Sequence, residues 1–194
     1  MRVSREQAAR NRERVVAAAA KLFRSKGIDA TGVDAVMAEA GLTHGSFYKM
    51  FASKEDLVAE SCKAVSIQGT PRWLEGDASI ETLGGFVANY LCREHLDSPD
   101  RGCILAALAA DGGRREGPVR AELDRAFARF LGDLGRTAES IDPRRKDRWA
   151  LAAASLLVGA LVLARTVEDR NRSLDILDAA RDAVLSLAAA AAAA

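Results

Sequence analysis

A chain of 194 residues has room for one or two domains and a real core. With 49% hydrophobic and 28% charged residues it is globular, and a formal charge of +1 names no partner. Aromatics at 5%, only four prolines and alanine in runs favour helices over a β-sandwich or barrel.

From Arg5 the pattern is helical, with Val15, Val16, Ala19, Leu22 and Phe23 on one face. Lys26-Gly27 supplies a basic last turn and a C-cap glycine. Thr31 is the expected N-cap of a short helix striped by Val33, Val36, Met37 and Ala40, which Gly41 ends. Thr43 then caps a second short helix running from His44 to about Phe51. Ser53 caps a fourth, with Asp56 placed to complete a capping box and Leu57, Val58, Ser61, Cys62 and Val65 facing inward. Gly69-Thr70-Pro71 and Glu75-Gly76-Asp77 are breakers. Ser79 opens a helix with Ile80, Leu83, Val87, Tyr90 and Leu91 on one side, broken at Ser98-Pro99-Asp100. Cys103 to Ala110 reads as a short apolar helix closed by Asp111-Gly112-Gly113. Pro118 starts a longer helix carrying Val119, Leu123, Phe127, Phe130 and Leu134. Pro143 begins the next, which carries the uncharged run, and Asn171 or Ser173 the last, with Leu177, Ala180, Val184 and Leu187. The expected fold is all-α, with about nine helices and no strand. Each proline falls at an expected break. The seven alanines from Ala188 to Ala194 are a fraying helix end or a foreign remnant and carry no functional reading.

Several function classes drop out. The charged start, MRVSREQAARNRERVV, lacks an apolar leader region, so no secretory signal is expected. The uncharged run Trp149–Ala164 is sixteen residues, shorter than the about 20 a membrane span needs, and reads as a buried helix. Cys62, Cys92 and Cys103 are odd in number and widely spaced, so neither a disulfide framework nor a zinc site is expected, and a reducing cytoplasm is the default. Cys92 and His95 stand one helical turn apart, but two ligands make a poor metal site, so no metal and no cofactor are expected. No phosphate-cradling, dinucleotide, nucleophile-elbow or metalloprotease motif is present, and no enzyme activity is expected.

Charge is uneven along the chain. Residues 1–54 hold ten Lys/Arg against five Asp/Glu, while the remainder is acidic. A basic N-terminal quarter suits a polyanion, and nucleic acid is the obvious one. Within it, a short helix, a tight turn at Gly41-Leu42-Thr43 and a second short helix make a helix-turn-helix unit. Val36, Ala40, Leu42 and Phe47 are placed to lock the crossing. His44, Gly45, Ser46, Tyr48 and Lys49 are then left outward, as groups that read base edges or hold phosphates.

Residues 31–57, TGVDAVMAEAGLTHGSFYKMFASKEDL, resemble the DNA-binding signature of the TetR family of bacterial transcriptional regulators. The Ala-Gly-Leu-Thr turn, Phe-Tyr-x-x-Phe and Ser-Lys-Glu-Asp-Leu stand in one register, and chain length and helix order agree. The resemblance implies a ligand-responsive, DNA-binding homodimer, most often a repressor released from a palindromic operator when a small lipophilic effector binds the C-terminal domain. It implies a DNA-binding domain over residues 1–54, a ligand-binding and dimerisation domain over 55–187 and the tail 188–194. Carried over by position, Thr43, His44, Gly45 and Ser46 lie at the groove, Tyr48 and Lys49 reach phosphate or base edges, and Thr31 and Lys54 face the backbone from helix N-termini. The ligand cavity falls among the middle helices, where Phe86, Tyr90, Cys103, Phe127, Trp149 and Ser155 are the candidate lining. The last two helices pair with their symmetry mates, with Ala153, Ala154, Leu157, Val158, Leu161, Leu177, Ala180 and Val184 as the expected interface. Cys103 reads either as a thiol sensor at a helix start or as a small hydrophobe. The competing reading of the whole is a dimeric ligand-binding or scaffold protein without specific DNA binding.

Overall fold

The computed structural model describes residues 5–67, 82–138, 141 and 143–193, and among these every regular element is a helix. Helix α1 (Arg5–Lys26) buries Val15, Val16, Ala19, Leu22 and Phe23, and ends where Gly27 takes a left-handed φ of 83°. Helix α2 (Val33–Glu39), a 3-10 helix (His44–Lys49) and α3 (Lys54–Ile67) follow; α2 and α3 pack on α1, and the 3-10 helix packs on α2. The second segment was expected as an α-helix to about Phe51. It winds more tightly, and just past its end the Phe51 N–H bonds the Phe47 carbonyl at α spacing, 3.0 Å.

The body comprises α4 (Leu83–Tyr90), α5 (Arg93–Asp97), a 3-10 turn (Pro99–Arg101), α6 (Ile104–Gly113), α7 (Pro118–Thr137), α8 (Pro143–Thr166) and α9 (Arg170–Ala193). Ser79 and Ile80 lie outside the described residues. Thr82 caps α4 instead, its hydroxyl accepting from the Gly85 N–H at 3.2 Å. The chain breaks at Leu91, earlier than expected, because Cys92 Sγ accepts from the His95 N–H and starts α5. Asp111-Gly112-Gly113 does not close α6 but completes it. A Cβ on Gly112 would sit 2.4 Å from Leu123 Cδ1, so this glycine lets α6 lie close on α7. The cap of α9 is Asp169, whose carboxylate accepts from the Asn171 and Arg172 N–H groups at 2.8 and 3.3 Å. The alanine tail is helical to Ala193, and Ala188 is buried.

Helices α8 and α9 pack face to face, α7 lies against α3, α6 and α8, and α1 contacts α3, α6 and the Pro99–Arg101 turn. One core runs through all of them. This corrects the interface expectation. Ala153, Ala154, Leu157 and Leu161 of α8, with Leu177, Ala180 and Val184 of α9, are buried within the single chain and are used up by intrachain packing. Of the eight, Val158 alone is part-exposed. Helix α8 is apolar nearly all round, so a second set of residues, Leu151, Val162 and Leu163, remains on the surface. By length and composition α8 is the one described helix able to cross a bilayer, yet eight of its residues are buried against neighbouring helices.

Candidate nucleic-acid interface

The turn between α2 and the 3-10 helix is closed by backbone geometry. Gly41 has φ 66°, its N–H bonds the Ala38 carbonyl, and the Leu42 N–H bonds the Met37 carbonyl, both at 2.9 Å. These two bonds form a Schellman motif, which an L side chain at Gly41 would strain. A Cβ there would also meet Arg14 Nη2 at 2.8 Å, the same group that donates to the Ala40 carbonyl. Arg14 on α1 thus seals the turn from behind.

Phe47 anchors the second segment. It is buried and stacks on Phe51 with ring centroids 5.5 Å apart. Arg12 holds the far end: its guanidinium lies 4.2 Å over the Phe51 ring, pairs with Glu60 and donates to the Met50 carbonyl. With this side fixed inward, the opposite side must face out. Thr43, His44, Gly45, Tyr48 and Lys49 are exposed, Tyr48 to 68%. The Thr43 and Ser46 hydroxyls share a hydrogen bond of 3.1 Å, and His44 Nδ1 meets the Asp34 carboxylate. A Cβ on Gly45 would touch nothing within 4 Å, and its φ is not positive, so nothing inside the chain demands a glycine there.

Two expectations change. Thr31 is only 1% exposed, and its hydroxyl donates inward to the Gly27 carbonyl at 2.8 Å and the Leu22 carbonyl at 3.4 Å. It ties α1 to the following loop and cannot face a phosphate. The N-cap position of α2 is Gly32, with no side-chain bond. Ser53 does cap α3, accepting from the Asp56 N–H at 3.0 Å, and Lys54 follows it half-buried at the first helical position. Part of the basic charge of residues 1–54 is paired: Arg10 and Lys21 with Glu6 and Glu39 of the same segment, and Arg12 with Glu60 beyond it, so only the last pair lowers the surplus.

Residues 15–61 match the family model for bacterial regulatory proteins of the tetR family. An HTH-type transcriptional regulator of Mycobacterium tuberculosis, itself uncharacterised, is 32% identical over 168 residues, 81% of this chain and 86% of its own. The chain belongs to the TetR family. Solved structures agree on the fold. A TetR regulator from Chloroflexus aurantiacus is 24% identical with a TM-score of 0.74 over 93% of this chain and 95% of that one. Reduced E. coli NemR is 20% identical with a TM-score of 0.69 over 90% and 95%.

In this TetR-family chain α6 links the DNA-binding unit to the body at both its ends. At its start Arg24 of α1 donates to the Gly102 carbonyl at 3.0 Å, and the Cys103 N–H donates to His95 Nε2 at 3.0 Å. His95 is fully buried; its Nδ1 donates to the Tyr90 carbonyl at 2.7 Å, so the ring is neutral. Burial pushes its pKa down to about 3. With both ring nitrogens bonded, His95 has no lone pair to share with Cys92 for a metal. At the other end Asp111 accepts from the Ile28 N–H at 3.4 Å, and Arg115, 14% exposed, pairs with Asp29, Glu55 and Asp111. No motif in the sequence assigns Arg12, Arg24, His95, Asp111 or Arg115 to these roles. A buried histidine beside a helix start was the one available signal.

The six candidate ligand residues do not converge. Phe86 and Tyr90 stack on each other with Phe130 tilted against both, and the buried Tyr90 hydroxyl has no nitrogen or oxygen partner among the described residues and faces the Cys103 thiol. Burial raises the Tyr90 pKa well above its usual value. Phe127 and Ser155 instead line a separate apolar cavity of about 490 Å³ between α6, α7 and α8, with Leu123 and Val158. Ser155 is exposed on α8 and turns its hydroxyl back to the Leu151 carbonyl at 2.8 Å. Trp149 is buried and lines neither, and its indole N–H has no partner among the described residues.

Proposed function

We propose that this TetR-family regulator is a ligand-responsive repressor that binds a palindromic operator as a homodimer and leaves it when a small lipophilic effector occupies the body. The observation that carries the DNA part is the exposed set Thr43, His44, Gly45, Tyr48 and Lys49 held over a buried Phe47. A polar ridge on a fixed apolar base is what a major groove accepts. Lys54 adds to it. A cation at the positive end of a helix dipole is disfavoured unless an anion joins it, and a phosphate there meets both.

Dimerisation is assigned to the apolar residues that α8 and α9 leave outside: Leu151, Val162 and Leu163, and Leu187. An apolar surface of this kind in a regulator marks a protein interface. The effector is assigned to the Phe86, Tyr90 and Phe130 region beside α6, because a buried hydroxyl that meets only the Cys103 thiol among the described residues offers a hydrogen bond to an otherwise apolar guest. The protein works in the cytoplasm on this reading. Residues 1–54 are the DNA-binding domain and 55–187 the ligand and dimer domain, although α3 packs on both.

The test is a gel-shift titration on the chain's own promoter region with Lys49→Ala and Tyr48→Phe. Each is expected to weaken binding about tenfold, and Lys49→Ala to reduce the salt slope by about 1. Unchanged affinity in both variants, with both dimers intact, refutes the ridge. A dimer that ignores duplex DNA at low salt favours the scaffold reading.

A further inference from the structure

Arginine partners divide this molecule in a way that singles out one cleft. The well-buried Arg115 has three carboxylates around it. Arg24 of α1 and Arg165 of α8 are also part-buried, yet among the described residues neither pairs with an acid. Both donate to backbone carbonyls: Arg24 to Ala20 and Gly102, at 2.9 and 3.0 Å, and Arg165 to Leu96 and His95, at 3.2 and 2.6 Å. Burial holds both guanidinium groups below their usual pKa range. The two converge on one residue. Arg24 takes the Gly102 carbonyl, and a Cβ on Gly102 would stand 3.1 Å from Arg165 Nη2.

Both arginines line a cavity of about 570 Å³ between α1, α5, α6 and the end of α8. Its rim carries Arg170, paired with Asp97, and the exposed Glu168; Asp100 acts on Arg24 from beyond ion-pair distance. Its walls include Leu96, Ala106, Ala107 and Val162. Part-buried, uncompensated guanidinium groups beside a cavity recognise oxyanions, with donors in fork geometry that carboxylate and phosphate match.

We propose that this cleft is a binding site for a small oxyanion, a carboxylate or phosphate group on a short apolar body, gripped jointly by Arg24 of the DNA-binding unit and Arg165 of the body. It is distinct from the Phe86–Tyr90–Phe130 region and stands whether or not the polar ridge binds DNA. An anion seated there ties α1 to α8 through its own charge.

Thermal unfolding of the full chain tests this without DNA, titrating inorganic phosphate and, separately, hexanoate at constant ionic strength. A saturable Tm rise is expected with at least one probe, reaching about 5 °C at a hundredfold excess over Kd. The responding probe tells phosphate from carboxylate. Arg165→Met is expected to abolish the rise and Arg145→Met, on an exposed arginine, to keep it. Ala107→Leu fills the cavity while leaving both arginines in place, and is expected to abolish it as well. If Arg165→Met does not fold, Arg165→Lys, which loses the fork but keeps the charge, is expected to raise the half-saturating concentration about tenfold. No saturable rise with either probe overturns the proposal, as does a rise that survives Ala107→Leu or is equal in every variant.

Discussion

Two surfaces of this molecule are built in opposite senses. Around the His44–Lys49 helix the large apolar groups, Phe47 and Phe51, are turned inward, and what faces solvent is hydroxyl, imidazole, phenol and ammonium. Around α8 the helix has already buried a full apolar stripe against α9 and α7, and what faces solvent is again apolar: Leu151 at 47% and Leu163 at 58% exposed. The first surface is complete when wet. The second is not, because a helix needs one stripe to join its own core and α8 carries more. On the proposed reading the contrast separates two partners of different chemistry, a charged polymer at one surface and a second apolar helix surface at the other.

The largest effect expected from breaking this contrast is at the second surface. Leu151→Arg with Leu187→Arg places charge on exposed positions of both last helices, outside the buried core. Light scattering should report a single chain, and operator affinity should fall on the order of 100-fold as bivalent binding is lost. A variant that remains a dimer removes this face from the interface. Leu157→Ala, one of the buried α8 positions, should behave in the reverse manner: it costs about 2–5 kcal/mol in urea unfolding, monomer or dimer, because it opens a cavity between helices.

A smaller effect sits at the joint between the two regions. His95 is held neutral, accepting from the Cys103 N–H and donating to the Tyr90 carbonyl, with its pKa pushed down to about 3 by burial. The unfolded chain takes up this proton near pH 6.5, the folded one only near 3. Stability is therefore whole above pH 6.5 and is lost as pH falls through that window, at ~1.4 kcal/mol per pH unit. Between pH 7 and pH 5 the loss is about 2 kcal/mol. His95→Gln should be less stable at pH 7 and should lack this increment when urea midpoints at the two pH values are compared. An unchanged difference would place the titration elsewhere.

Much of the helix-turn-helix was legible because its determinants are local. A Schellman glycine, a serine cap three residues before its donor and Phe47 at the centre of the second segment all act within a few residues, and sequence spacing carries them. Thr31 escaped because a threonine before a helix has two places to send its hydroxyl, and the partner it chose, the carbonyls at the end of α1, lies backward in the chain. The body was harder for the same reason at longer range. Helical periodicity shows that α8 is apolar around most of its circumference, but not which stripe meets α9 and which stays outside. Gly112 reads as a breaker until Leu123, eleven residues on, is seen to occupy the space a side chain would need. The six ligand candidates rest on residue type on apolar faces, and type does not say that Phe127 and Tyr90 look into different spaces.

Gly45 gives the smallest and sharpest test of what the polar ridge is for. Glycine in a helical segment costs stability relative to alanine, since it gives up more backbone freedom on folding. Where a turn needs a left-handed φ, or a neighbour would collide with a methyl group, the fold itself explains the glycine, as at Gly41 and Gly112. Neither holds at Gly45: its φ is ordinary and the added carbon meets open space. Gly45→Ala should therefore stabilise the chain, by about 0.5–1 kcal/mol in urea unfolding. If the residue is small so that backbone can press on a groove floor, the same substitution should weaken operator binding severalfold in a gel shift. A variant both steadier and weaker on DNA locates the need for glycine outside the protein. One that is steadier and binds as well leaves Gly45 without a role at the groove and moves the contact toward Tyr48 and Lys49.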